Sequence, residues 1–249
     1  MVEDSSPKHV QAALQQFTVV VPAAGVGKRM QAHCPKQYLV INGVSILEHT
    51  VKCLLSHPQI NRIILCLSAE DAYFSDTLLA DHPDVIVTDG GKERVDSVLK
   101  GLKALNELKL NYADSNPWVL VHDAARPCVN HQDIDALIYQ CIERNIGGLL
   151  AAPVRDTMKR GDNNNLVTTT VERAKLWHAL TPQMYKATEL MQAIEQGIAS
   201  NSNITDESSA IELAGLPSLL VTGSSENIKI THPDDLAFAE FILNKQSLK

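Results

Sequence analysis

The sequence predicts a doubly wound α/β fold, a mostly parallel sheet with a projecting β-arm, and three observations carry that prediction. Short β-branched apolar runs alternate with amphipathic stretches along the chain. No period suggests internal repeats, and no Ser/Gly/Pro tract reads as a linker. The alternation breaks once, at Arg155–Trp177, where a Gly-Asp-Asn-Asn-Asn turn separates two extended Thr/Val-rich flanks. The expectation is one domain over residues 1–249, with residues 155–177 as an arm that reaches a partner subunit.

Taken in order, Phe17–Val21 (FTVVV) has the short β-branched character of a buried parallel strand. Ser45–Ser56 places Ile46, Val51, Leu54 and Leu55 near helical spacing, with Ser45 as N-cap and Glu48 three residues on. Ile60–Leu67 and Val85–Thr88 read as strands, Asp96–Leu108 as a helix, Trp118–His122 as a strand and Gln132–Glu143 as a helix. Gly148–Val154 is a further strand. Beyond the arm, helical patterns resume at Lys186–Ala199 and Asp206–Ala214. A strand at Ser218–Thr222, a short run at Asn227–Ile230 and a helix over Pro233–Asn244 follow. This βαβα order argues right-handed crossovers.

Composition narrows the function classes. The chain of 249 residues is 45% apolar and 20% charged, enough for an ordinary core. Its net charge of −7 argues against a nucleic-acid coat, whose footprint would be basic. Yet Ser5–Leu47 holds no Asp or Glu and carries Lys8, Lys28, Arg29 and Lys36, so +4 is gathered there and −11 elsewhere (−7 − 4). Something small and anionic is expected at that segment. Five cysteines without a CxxC pair fit a reducing compartment. No signal-peptide core precedes Phe17, and no apolar run approaches the ~18 residues of a membrane span. A cytoplasmic protein without membrane partners is expected.

The first strand runs into Pro22-Ala23-Ala24-Gly25-Val26-Gly27-Lys28-Arg29-Met30. Small residues let backbone N–H groups approach a phosphate, and the loop falls at the C-terminal edge of the sheet. It is not a Walker A loop, since Pro22 holds the first glycine position and Arg29 follows Lys28. Nor is it a dinucleotide fingerprint, because Met30 replaces the third glycine. Pro35 blocks a continuous helix, which puts Lys36 on a turn able to face the same pocket.

PAAGVGKRM followed by CPKQYL resembles the signature of nucleotidyltransferases that join an NTP to a sugar or polyol phosphate. Further segments narrow the resemblance: DGGKER with Ser97, VHDAARP at Val121–Pro127, APVRDT at Ala152–Thr157, TDE at Thr205–Glu207 and NIKIT at Asn227–Thr231. Together, from Val19 to Phe241, they are similar to the 2-C-methyl-D-erythritol 4-phosphate cytidylyltransferase family. That implies a Rossmann-like sheet of nucleotidyltransferase type, and transfer of cytidylyl from CTP to the polyol phosphate in non-mevalonate isoprenoid biosynthesis. The products are 4-diphosphocytidyl-2-C-methyl-D-erythritol and pyrophosphate. A ribitol 5-phosphate cytidylyltransferase is the alternative, and a non-catalytic nucleotide-binding module the more distant one.

The chemistry asks for charge and not for a base. A phosphate monoester is largely dianionic near neutral pH, its second pKa being about 6, so it attacks the α-phosphorus without help. What remains is positioning and stabilisation of an in-line transition state. Arg29 and Lys36 suit the α-phosphate and the leaving pyrophosphate, and the resemblance assigns them that role; it adds Arg173 and Lys229 as the grip on the incoming phosphate. Pro22, Ala23, Ala24, Gly25, Gly27, Gly91, Ser97, Asp123 and Ala124 are expected around the nucleotide. Asp123, Arg126, Thr157, Arg173, Thr181, Thr205 and Lys229 are expected around the polyol phosphate. Mg²⁺ should ride mainly on the triphosphate, with Asp123 the candidate protein ligand. The resemblance also implies a homodimer in which Thr157 and Arg173 of one arm serve the neighbouring site.

Other residues read as structural. Nine histidines lack metal-ligand spacing, and His122 reads as a packed strand-end residue. Cys53, Cys66 and Cys141 read as buried, Cys34 and Cys128 as thiols near the pocket, and Trp118 and Trp177 as packing anchors. Two features depart from the family pattern: Glu172 stands where a shorter Asp is expected, and the Leu108–Asn116 loop is long.

Overall fold

A computed structural model describes residues 15–25, 34–108 and 116–248. Gly27, Lys28 and Arg29, as well as Lys8 and residues 109–115 of the long loop, lie outside the described residues.

Strand β1 (Phe17–Pro22) is followed by a two-stranded hairpin, β2 (Val40–Ile41) and β3 (Val44–Ser45), and by helix α1 (Ile46–Leu55). Then come β4 (Ile60–Leu67), β5 (Val85–Asp89), α2 (Arg94–Glu107), β6 (Trp118–Val121), α3 (His131–Arg144) and β7 (Gly148–Pro153). The arm supplies β8 (Met158–Gly161) and β9 (Val167–Val171). The chain ends through β10 (Trp177–Lys186), α4 (Ala187–Ala199), α5 (Glu207–Leu213), β11 (Leu219–Thr222) and α6 (Asp234–Gln246).

Among the described residues the main sheet has seven strands in the order β11-β7-β10-β6-β1-β4-β5. All neighbours run parallel except β10, which is antiparallel to both β6 and β7. The two-residue period of β1 sends Val19 and Val21 to one face and Val20 to the other. The first face packs against Leu47, Val51 and Leu54 of α1 and Ile134, Leu137 and Ile138 of α3. The second packs against Val98, Leu102 and Leu105 of α2, Leu190 and Ile194 of α4, and Ile211 of α5. Helices therefore cover both faces, which is what makes continuously apolar strands such as β1 and β4 stable.

Local chemistry sets the helix starts. The Ser45 hydroxyl accepts from the Glu48 N–H at 3.2 Å while Glu48 accepts from the Ser45 N–H at 3.1 Å, a complete capping box. Asp206 and Ser209 form a second capping box at α5, while Asn130 caps α3 by accepting from the Asp133 N–H.

The reading of the arm's bounds needs correction, and strand β10 and the β2–β3 hairpin are additional elements. The strand β10 was not anticipated: Pro182 interrupts its pattern, and the register shifts between Ala179 and Gln183, a bulge that accommodates the missing N–H. Trp177 accordingly belongs to the main sheet, pairing with Pro153, and the arm hairpin spans Met158 to Val171. The β2–β3 hairpin is likewise additional, closed by Asn42 and Gly43 with φ of 51° and 78°. Asn227–Ile230 is a loop without strand pairing.

Candidate active site

The sheet winds outward from β1 to β4 and β5, then returns to β6 on the other side of β1. Open α/β sheets receive ligands at such a reversal, beyond the carboxyl ends of the strands. A cavity lies there, lined by Ala23, Ala24 and Gly25 after β1, Gly91 and Arg94 after β5, and Asp123 and Ala124 after β6. Lys36 and Lys229 complete its wall.

The loops are held by one another. Gln37, buried on the Lys36–Tyr38 turn, donates to the Ala23 carbonyl at 2.7 Å, and Lys36 Nζ reaches the Ile230 carbonyl at 3.1 Å. Tyr38 anchors the far side of that turn by donating to Asp71 at 2.8 Å. The DGG segment packs so closely on the first loop that a Cβ at Gly90 would run into the Cβ of Ala24. Ser97 is buried, its hydroxyl accepting from the Gly91 N–H at 2.9 Å and donating to the Glu93 carbonyl at 3.2 Å. Its part here is to shape the glycine loop.

Asp123 is the electrostatic centre. It is 6% exposed and takes Arg94 Nε at 2.9 Å, Lys229 Nζ at 2.8 Å and Arg126 Nε at 3.3 Å. Burial raises its pKa, but Arg94, then Lys229 and Arg126, outweigh it and hold the carboxyl well below the carboxylate range. His122 is fully buried, and burial pushes its pKa down to about 4. Its Nε2 faces the Arg126 carbonyl at 3.0 Å and must donate there, so Nδ1 accepts from the Thr181 hydroxyl at 3.0 Å. Thr181 in turn accepts the Asp123 N–H at 3.1 Å. This chain fixes the Asp123 loop with a neutral imidazole, in keeping with the packed role read from sequence.

A second cavity adjoins the first, lined by Arg126, Thr181, Gln183 and Thr205 together with Arg94, Asp123 and Lys229. Arg94, Asp123 and Lys229 thus form the wall common to both. Of the anticipated residues, Pro22, Ala23, Ala24, Gly25, Lys36, Gly91, Ser97, Asp123, Ala124, Arg126, Thr181, Thr205 and Lys229 come together around these two cavities. Thr157 and Arg173 do not: both are exposed on the arm segment, where an Arg173 guanidinium N–H donates to the Arg155 carbonyl. Arg29 and Gly27 lie outside the described residues.

Sequence reasoning missed two residues, Arg94 and Glu207. Arg94 donates to both Glu207 oxygens, at 2.6 and 3.1 Å, as well as to Asp123. Both stood inside quoted segments, DGGKER and TDE, but nothing in either segment pairs one with the other. Cys128, read as a thiol near the pocket, is fully buried, and burial pushes it up to about 12, so it is held as an unreactive thiol.

The donor set also bears on a metal. Both Asp123 oxygens already face cations, and no cluster of three His, Cys, Asp or Glu able to hold an ion occurs among the described residues. Such a site fits a divalent ion carried mainly by nucleotide phosphates, and not a protein-built cage.

A doubly wound sheet with a small-residue phosphate loop and a cationic wall between two cavities defines a nucleotidyltransferase-type protein. Comparison with known proteins gives the particular kind. The profile of the 2-C-methyl-D-erythritol 4-phosphate cytidylyltransferase family matches residues 17–245. A protein of that name from Colwellia psychrerythraea is 61% identical over 244 residues, covering 95% of this chain and 98% of the relative. One from Vibrio vulnificus is 53% identical over 234 residues, covering 94% and 97%. Among solved structures, a 4-diphosphocytidyl-2C-methyl-D-erythritol synthase superposes with a TM-score of 0.79 at 35% identity, covering 92% of this chain and 98% of that one. The Francisella tularensis 2-C-methyl-D-erythritol 4-phosphate cytidylyltransferase gives 0.78 at 32%, covering 92% and 100%. The chain belongs to the 2-C-methyl-D-erythritol 4-phosphate cytidylyltransferase family: it is a cytidylyltransferase of isoprenoid biosynthesis.

Proposed function

We propose that CTP occupies the first cavity, that 2-C-methyl-D-erythritol 4-phosphate occupies the second, and that the two phosphates meet at the wall they share. The observation that carries this reading is that wall, where Arg94, Asp123 and Lys229 face both cavities. The monoester oxygen forms a bond to the α-phosphorus, and the bond from that phosphorus to the β-phosphate bridging oxygen breaks, releasing pyrophosphate. No proton needs to be removed from the dianionic nucleophile.

Lys36 and Arg29 stabilise the charge developing on the α-phosphate and the leaving group, and Lys229 and Arg126 receive the incoming phosphate. Ala23, Ala24, Gly25, Gly27, Gly91 and Ala124 offer backbone to the nucleotide, with Pro22 and Ser97 fixing the loops that carry them. Thr181 and Thr205 border the polyol. Asp123 would help to hold Mg²⁺ brought in mainly by the triphosphate, and the ion would supply neutralisation of charge on the phosphate oxygens. Thr157 and Arg173 complete the site of a neighbouring copy in a homodimer joined through the arms. Neither lines one of this chain's own two cavities, which supports that arrangement.

The same reading treats residues 1–249 as one domain with an arm, working in the cytoplasm without nucleic-acid or membrane partners. Five unpaired cysteines support it, and no helix among the described residues is long and apolar enough to cross a membrane. Pyrophosphate release with CTP, Mg²⁺ and each polyol phosphate tests the substrate assignment. Fast release is expected with methylerythritol phosphate; faster release with ribitol 5-phosphate would overturn it.

A further inference from the structure

We propose that Glu207 is a positioning residue for the transfer reaction, acting through Arg94 on Asp123. The proposal rests on the reading of Asp123 as a substrate-facing residue.

Three observations carry it. First, Arg94 is committed at all three guanidinium nitrogens: NH1 and NH2 fork onto the two Glu207 oxygens, and Nε goes to Asp123 Oδ1. With three of its five N–H donors taken by carboxylates, Arg94 is held as a brace at the wall of both cavities. Second, the Glu207 side chain is 2% exposed, while Arg94 is 27% exposed, so the pair joins the protein interior to the cavity wall. Third, Glu207 stands on a braced element. Gln183, buried in β10, donates to Asp206 Oδ2 at 2.9 Å and accepts the Ser208 N–H at 2.8 Å, gripping the residues on both sides of Glu207.

The consequence is a division of labour around Asp123. Arg94 holds Oδ1 in a fixed direction, while Lys229 and Arg126 sit on Oδ2. Lys229 is 35% exposed and flexible in its stem, so it is the partner able to turn toward an arriving phosphate. If Glu207 did not occupy Arg94, the guanidinium could itself swing toward the phosphate, and Asp123 would lose the brace that sets its second oxygen. Misplacement of a positioned group by about 1 Å costs on the order of 10²-fold. The effect is expected chiefly on the polyol side, because Arg126, which shares Asp123 with Arg94, lines the second cavity and not the first.

The test is steady-state kinetics of the full chain carrying Glu207→Gln, Arg94→Gln or both, with Asp123→Asn in parallel. Removing one partner of a buried pair can unfold a protein, and the double variant removes both charges together. For Glu207→Gln, kcat/KM for the polyol phosphate is expected to fall by roughly 10- to 100-fold with KM for CTP within about threefold. The double variant should be no slower than Arg94→Gln alone, since Glu207 acts only through that side chain. Additive losses in the double variant, or equal losses toward both substrates, would overturn the inference. So would near-normal Glu207→Gln kinetics when Asp123→Asn is inactive. An active Asp123→Asn variant would instead remove the reading of Asp123 on which the inference stands.

Discussion

At the switch point, Asp123 keeps three cations within 3.3 Å and is 6% exposed, and every loop around it is tied to another by a side-chain hydrogen bond. Along the arm, Thr157 and Arg173 are exposed, and β8 and β9 pair in a two-stranded sheet of their own. Both regions carry residues expected at the substrate. The pocket is built within one chain: its central carboxylate is buried and held by three cations before any ligand arrives, the preorganisation that electrostatic stabilisation of a transition state requires. The arm buries little of itself, so its charged residues acquire a fixed position only against another surface. On the proposed reading, the difference separates residues placed by their own chain from residues that a second copy delivers.

The comparison breaks most visibly at Lys36. Lys36→Ala should lower kcat by about 10²- to 10³-fold, the scale seen when one preorganised donor is removed. Circular dichroism should remain native, because the half-buried turn keeps its Gln37 anchor. Near-normal turnover would remove Lys36 from the chemistry.

A next effect is the pH dependence of stability from His122. Above its ordinary value of about 6.5, native and unfolded states are both neutral at this residue. Between there and about 4, the unfolded chain takes a proton that the buried imidazole refuses. Stability therefore falls as pH falls through that window, by roughly 3 kcal/mol from His122, whose contribution levels off below it. Asp123, whose folded carboxyl is held well below the usual range, adds a loss of its own from about pH 5 downward, where the unfolded carboxylate begins to take a proton. Urea unfolding at pH 7 and pH 4.5 measures the loss, and His122→Asn should flatten it. An unchanged slope in the variant would place the protonation elsewhere.

The smallest structural effect is expected on the arm. Arg173→Ala should leave the thermal midpoint of the chain unchanged, as exposed substitutions generally do, while raising KM for the polyol phosphate by roughly tenfold. A large drop in midpoint would mean the arm is part of the chain's own core.

Legibility in the sequence followed locality. The Ser45–Glu48 capping box and the strand Ile60–Leu67 were readable because their signals lie within a few residues. β10 was hidden by Pro182, whose place at a bulge depends on β6 and β7 on either side. The small-residue loop, Lys36, Asp123 and Lys229 were readable as chemistry-bearing residue types in a familiar order. That Ser97 would fold a glycine loop, and that Thr181 would serve His122 and the Asp123 backbone, depends on burial. Arg94 and Glu207 are 113 positions apart, and only the folded sheet makes them partners. The sequence named most of the charges; the fold decided which of them neutralise one another.

Mixing two impaired variants, assayed at polyol phosphate well below KM, tests most directly whether a pocket of one chain is completed by the arm of another. Lys36→Ala lacks the pocket function and Arg173→Ala the arm function. If the sites are shared, subunit exchange at equal concentrations gives half heterodimers, each with one intact site, and activity returns to about a quarter of the unsubstituted enzyme. If Arg173 serves its own chain, every site in the mixture carries a defect, and activity stays at the average of the two parents.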